Sequence, residues 1–232
     1  MYVMELAHIH TEIGDKQLLE DISFSVEEGS ITALVGHNGA GKSTLMRTIL
    51  NELEPTKGTI HLYGKEMKDD LLGYKRNIAY LPEEPMLLME LTVMQHFQLY
   101  AISYKLDNTI FEEKLERLLE GFEIADKLHE YPESLSKGMR QKVQTICALL
   151  PDTPLLMIDE PFMGLDIYAM AYLEKLISEK AAEGTAILLT SHQLERVKDL
   201  ADSFILLQQG RIQQAGPIDQ FETIQRRTGD AT

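Results

Sequence analysis

Four short stretches hold residues whose types and spacing suit phosphate chemistry. GHNGAGKST, from Gly36 to Thr44, matches the pattern G-x-x-x-x-G-K-[ST] in full. Gly36, Gly39 and Gly41 let the backbone turn tightly, so that successive N–H groups aim at phosphate oxygens. Lys42 is placed to neutralise the β- and γ-phosphates of a nucleotide, and the Ser43 hydroxyl to ligate magnesium. Asn38, Ala40 and Thr44 complete the set of nucleotide-contacting residues. A glycine-rich turn that happens to contain a lysine is the plainer alternative. The apolar run TALV before the motif and the helical pattern after it argue against that alternative.

LLMIDEP ends an apolar run in two adjacent acids. Asp159, at a strand's carboxyl end, suits a magnesium ligand, acting directly or through water. Glu160 beside it suits the orientation or polarisation of an attacking water. Alone, the pair would read as solvated acids at a strand exit; the phosphate loop upstream outweighs that reading. His192 closes AILLTSH at another strand end. Position alone would make it a surface residue, but sharing a sheet edge with Gly36 and Asp159 makes it a candidate γ-phosphate contact. LSKGMRQK, from Leu135 to Lys142, looks like a second anion-binding helix start. Ser136 is a good N-cap, and the N–H groups around Gly138 are donors. His8 and His10 lie two apart on a strand pattern with no third ligand nearby, so a zinc site is not expected.

The elements that must position these residues fall into two groups. YVMELAHI, LEDISFSV, SITALVG and GTIHLYG read as antiparallel strands, with turn chemistry at Glu28–Gly29 and Thr56–Gly58. The continuous apolar runs TALV, LLMI and AILLTS suit a parallel sheet covered on both faces. Helical patterns separate them, KSTLMRTILNEL, IYAMAYLEKLISEKAAEG and QLERVKDLA, which implies right-handed crossovers and an α/β core. Residues 90–150 hold helical spacing such as FEEKLERLLEGF and no strand candidate. They read as a helical subdomain, residues 86–150, inserted into a single domain spanning 1–232. The tail PIDQFETIQRRTGD predicts one more short helix.

Composition narrows the function classes. The chain has 232 residues, 44% hydrophobic and 25% charged, enough for an ordinary buried core. A formal net charge of -15 argues against nucleic acid as a partner, because phosphate contacts need clustered Lys and Arg. The single cysteine, Cys147, sits in the apolar run TICALL and reads as a buried thiol in a reducing compartment. The N-terminal stretch has no basic region before an apolar core, so no secretory signal is expected. No apolar run reaches the roughly 18–20 residues that span a bilayer, so a membrane role would fall to a partner.

Taken together and in order, GHNGAGKST, LSKGMRQK, LLMIDEP, GLD (Gly164–Asp166) and TSH resemble the motif set of ABC-transporter ATPases. The resemblance covers essentially the whole chain. IAYLPEEPML and SKGMRQKVQTICALLPDTPLLMIDEPFMGLD further resemble the ATPase subunits of bacterial exporters of the Ecs type. It implies an α/β fold with a P-loop NTPase (RecA-like) core, a mainly parallel sheet, an N-terminal antiparallel β-subdomain and an inserted α-helical subdomain. It also implies a Mg2+-dependent ATPase that turns ATP into ADP and phosphate, with Lys42, Glu160 and His192 catalytic. LSKGM becomes the signature motif, so Ser136 and Gly138 would meet the nucleotide of a second ATPase subunit, an identical chain or a close paralogue. Integral-membrane subunits would be the other partners, and the location cytoplasmic, peripheral on the inner face of the cell membrane.

Three positions depart from the family pattern. Lys137 and Met139 replace the usual signature glycine and glutamine, while Ser136 and Gly138 are kept. Ile13 stands where an aromatic often stacks on adenine, so weaker base recognition is expected. Glu83 takes the place of a magnesium-contacting glutamine; a carboxylate can still ligate the ion. Rival readings are a soluble ABC protein acting on ribosomes or DNA, a non-hydrolysing ATP sensor, and a GTPase switch. The charge weighs against the first and the intact Lys42, Asp159, Glu160 and His192 against the second. The missing Asn-Lys-x-Asp motif weighs against the third.

Overall fold

A strand made wholly of apolar residues must be covered on both faces, and that requirement organises the chain. In the computed structural model, which describes residues 1–191 and 194–221, ten strands form two sheets. The first sheet takes β1 (Tyr2–Ile13), β2 (Lys16–Glu27), β4 (Lys57–Leu62) and β5 (Lys65–Glu66), in the order β2-β1-β4-β5 and antiparallel throughout. The second takes β3 (Ile31–Val35), β6 (Ile78–Leu81), β7 (Leu155–Asp159), β8 (Ala186–Thr190), β9 (Ser203–Gln208) and β10 (Arg211–Pro217). Its order is β10-β9-β3-β8-β7-β6, parallel except for the β10 edge.

Alternation along the central strands sends side chains into two separate cores. Ala33, Val35, Leu156, Ile158, Ile187 and Leu189 join one cluster with the helices α3 (Val93–Tyr104), α4 (Asn108–Phe122), α5 (Lys137–Leu149) and α6 (Ile167–Ala182). Leu34, Leu155, Met157 and Leu188 join the other, against α1 (Lys42–Ile49) and the antiparallel sheet. The remaining helices are α2 (Leu71–Arg76) and α7 (Leu194–Leu200). Between β6 and β7 the chain runs through α3, α4 and α5 with no strand, as the helical spacing of FEEKLERLLEGF predicts. Each of these helices begins on a polar cap: Thr92 with a capping box to Gln95, Asp107, and Ser136.

The structure corrects part of the strand grouping. SITALVG does not join the antiparallel sheet: Ile31–Val35 pairs in parallel with β8 and β9, so the Glu28–Gly29 turn links two sheets. Gly29, at φ 68, turns there with its N–H on the Gly184 carbonyl. The β1–β2 hairpin turns instead at Gly14 and Asp15, with Ile13 opposite Lys16. β5, β6, β9 and β10 are additions to the strands expected. Of the helix expected in the tail, only a single turn at Ile218–Gln220 falls among the described residues, and the rest lies outside them.

Candidate active site

The phosphate loop joins the end of β3 to the start of α1. Gly36 cannot be larger, because a Cβ there would stand 2.4 Å from the Leu207 carbonyl oxygen. Gly39 and Gly41 sit at φ 81 and 110, in the left-handed region that other residues avoid. Gly41 is also the N-cap of α1, and no side chain caps that helix end. Its first N–H groups are thus open to an external acceptor, with no acidic residue in the first turn to repel an anion. Lys42 is buried, and its ammonium donates to the Gly36 carbonyl at 2.8 Å, so the charge is held over the loop. Ser43 and Asn38 are exposed and Thr44 half-buried. Ala40 is buried, its carbonyl accepting the Gly210 N–H at 2.8 Å, which ties the loop to the β9–β10 turn.

The two acids reach the same sheet edge. β8 lies between β3 and β7, and Thr190 is level with both Leu34 and Asp159. Asp159 is buried and accepts a hydrogen bond from the Thr190 hydroxyl. Burial pushes its carboxyl above the usual carboxylate range; Thr190 opposes this, the Glu160 charge reinforces it, and Lys42 opposes it. A carboxylate so placed gains from a cation in front of it. Glu160 is buried as well, with a backbone φ of 48, and its N–H reaches the Thr190 carbonyl at 3.2 Å. Glu83 is exposed in the loop after β6, beside β7. Burial raises the Tyr80 phenol, and the charges of Asp159, Glu52 and Glu83 raise it further, which puts Glu83 within electrostatic reach of this edge.

Ser136 caps α5 at its start, and Gly138 lies in its first turn. Ser136 caps the helix by accepting the Met139 N–H at 3.2 Å. A Cβ on Gly138 would stand 2.8 Å from the Gly164 carbonyl oxygen, so the helix start is packed against the loop that follows Glu160. Lys142, one turn on, pairs with Asp166 at 2.8 Å. Among the described residues, no hydrogen bond or ion pair joins 136–138 to 36–44. His192 lies outside the described residues. Ile13 ends β1 and is 54% exposed. Sequence reasoning missed Thr190: it passed as one more apolar-strand residue, since its partners become visible only with the β7–β8 register.

A parallel sheet with a glycine-rich anion loop, a buried lysine and two buried acids at one edge defines a nucleotide-binding P-loop protein. Residues 19–163 match the family profile described as ABC transporter. The chain is 39% identical over 204 residues to the ABC-type transporter ATP-binding protein EcsA of Bacillus subtilis, covering 88% of this chain and 83% of that protein. It is 31% identical over 222 residues to the SkfA peptide export ATP-binding protein SkfE of the same organism, covering 96% and 92%. A solved structure of the ATP-binding subunit of an ABC transporter superposes with a TM-score of 0.92 at 39% identity, covering 98% of this chain and 93% of that one. The chain belongs to the ABC transporter family, as an ATP-binding subunit.

Proposed function

We propose that this chain binds and hydrolyses ATP to drive export through separate membrane subunits. One observation carries the reading: Lys42, Asp159 and Glu160 converge at the carboxyl edge of the parallel sheet, beside an uncapped helix start. Lys42 and the N–H groups around Gly36, Asn38, Gly39, Ala40 and Gly41 hold the phosphates, with Ser43 and Thr44 at the first turn. Ser43, Asp159 and Glu83 would hold Mg2+, the buried Asp159 carboxylate gaining from a cation in front of it. When bound, the ion neutralises charge on the transferring phosphoryl group. Glu160 accepts the hydrogen bond of the attacking water, and His192 contacts the γ-phosphate.

Two such chains complete one another, Ser136 and Gly138 of one facing the nucleotide of the other. Among the described residues, no hydrogen bond or ion pair joins 136–138 to their own phosphate loop, which supports this arrangement. The membrane subunits dock at the loop after β6 and the helices that follow it. Its exposed Met86, Leu88 and Met89, 75%, 50% and 46% accessible, support that role. The direction of transport rests on the likeness to SkfE. The test is phosphate release from MgATP by the purified chain. Release that Lys42→Ala abolishes is expected; release no greater than that variant's would overturn the reading.

A further inference from the structure

Asp159 and Glu160 are consecutive, so the relation between their carboxylates depends on two things: the rotation of one and the backbone at the other. One hydroxyl touches both. Thr190 lies level with Asp159 across the β7–β8 ladder and is completely buried. Its Oγ1 gives its single proton to Asp159 Oδ1. Toward Glu160 it therefore acts as an acceptor, taking the backbone N–H at 3.1 Å. The Thr190 carbonyl takes the same N–H at 3.2 Å. The run is directional, from backbone N–H through hydroxyl to carboxylate, and each bond polarises the next.

The backbone at Glu160 needs such support. At φ 48 it occupies the left-handed region, which a non-glycine residue keeps only where its surroundings hold it. Two acceptors on one N–H contribute to the hold, both of them on Thr190, and the Met163 N–H adds a contact to the Glu160 carbonyl at 3.3 Å. Threonine suits the task because its β-branch restricts χ1 and presents the hydroxyl in one direction. Its strand is flanked on both sides, by β3 and β7, so both of its edges are hydrogen-bonded.

We propose that Thr190 is a positioning residue for ATP hydrolysis: its hydroxyl locks the metal-facing carboxylate of Asp159 to the peptide that aims Glu160. This rests on the roles given above to Asp159 and Glu160. A valine in its place keeps the branch, the volume and the carbonyl and removes only the hydroxyl. Binding of Mn2+, a paramagnetic stand-in for Mg2+, is measured by electron paramagnetic resonance with ADP present, alongside steady-state hydrolysis. Thr190→Val should weaken Mn2+ binding and lower kcat, each by about 10–100-fold. Its KM for ATP at saturating metal, and its metal-free ADP affinity, should stay within about twofold of the parent's. Thr190→Ser, which restores a hydroxyl, should recover most of both losses.

If the valine chain does not fold, Thr190→Ala makes the same deletion with less bulk. Parental Mn2+ affinity and kcat in a folded hydroxyl-free variant would overturn the proposal. So would a serine variant as impaired as valine, which would assign the effect to the methyl's packing. A parent that releases no phosphate contradicts the proposed function instead, and the Mn2+ measurement still decides for or against Thr190.

Discussion

Single residues set the chemistry here through charges kept out of water. Lys42 and Asp159 are buried within one site, and burial raises the aspartate's carboxyl above the usual carboxylate range. Glu160→Gln keeps the shape and the N–H contacts while removing the carboxylate charge that polarises the water. Its kcat should fall by about 10²–10⁴-fold with ATP affinity retained, a split read by steady-state kinetics beside equilibrium binding. Ile13, exposed at the end of β1, can cover a purine but offers no aromatic stacking, which elsewhere contributes about 1–3 kcal/mol per base. Competition binding should therefore show modest affinity and little preference for ATP over GTP; strong ATP selectivity would assign base recognition to another residue. The glycines and lysine of the loop were legible from spacing alone. Thr190 was not, because hydrogen bonding across a parallel ladder has no local signature.

At the scale of elements, α5 and α6 meet through charge and close approach. Asp166 caps α6, accepting the Ala169 N–H at 2.9 Å and the Tyr168 N–H at 3.1 Å, and pairs with Lys142. The Lys142 hydrogen bond, then the Ala169 N–H, holds the Asp166 carboxyl below the usual carboxylate range. A depressed folded value means that the stabilisation is present above the ordinary carboxylate pKa of about 4 and is lost as pH falls through the lower folded value. Asp166→Ala should cost about 0.5–2 kcal/mol at neutral pH, lowering Tm by about 2–4 °C per kcal/mol. Thermal melts across pH should show that difference shrinking below about pH 4. Helices were the more legible elements, since α4 and α6 carry both their apolar stripe and their caps within the segment. Strands were less so. The run Ile31–Val35 follows β1 and β2 directly and is buried throughout, yet its partners are β8 and β9, far along the chain. Local alternation cannot say which distant strand will pair. β6 is four residues long, too short for a period to emerge, and β9–β10 follow the motifs with only Gly210 to mark their turn.

For the molecule as a whole, the formal charge is -15, and among the described residues no helix is long and apolar enough to cross a membrane. The central claim is that one chain's signature serves another chain's ATP. It accounts for a second anion-binding helix start in one chain. Specific activity of the purified chain should then rise with concentration as dimers form by mass action. The most direct measurement is size-exclusion chromatography of Glu160→Gln with ATP, with and without Ser136→Arg in the same chain. Glu160→Gln alone should elute at the mass of a dimer, because bound ATP persists. With Ser136→Arg added, the dimer should vanish while the monomer still binds ATP at its own Lys42. Loss of ATP binding by that monomer, or a dimer that survives the arginine, would contradict the account.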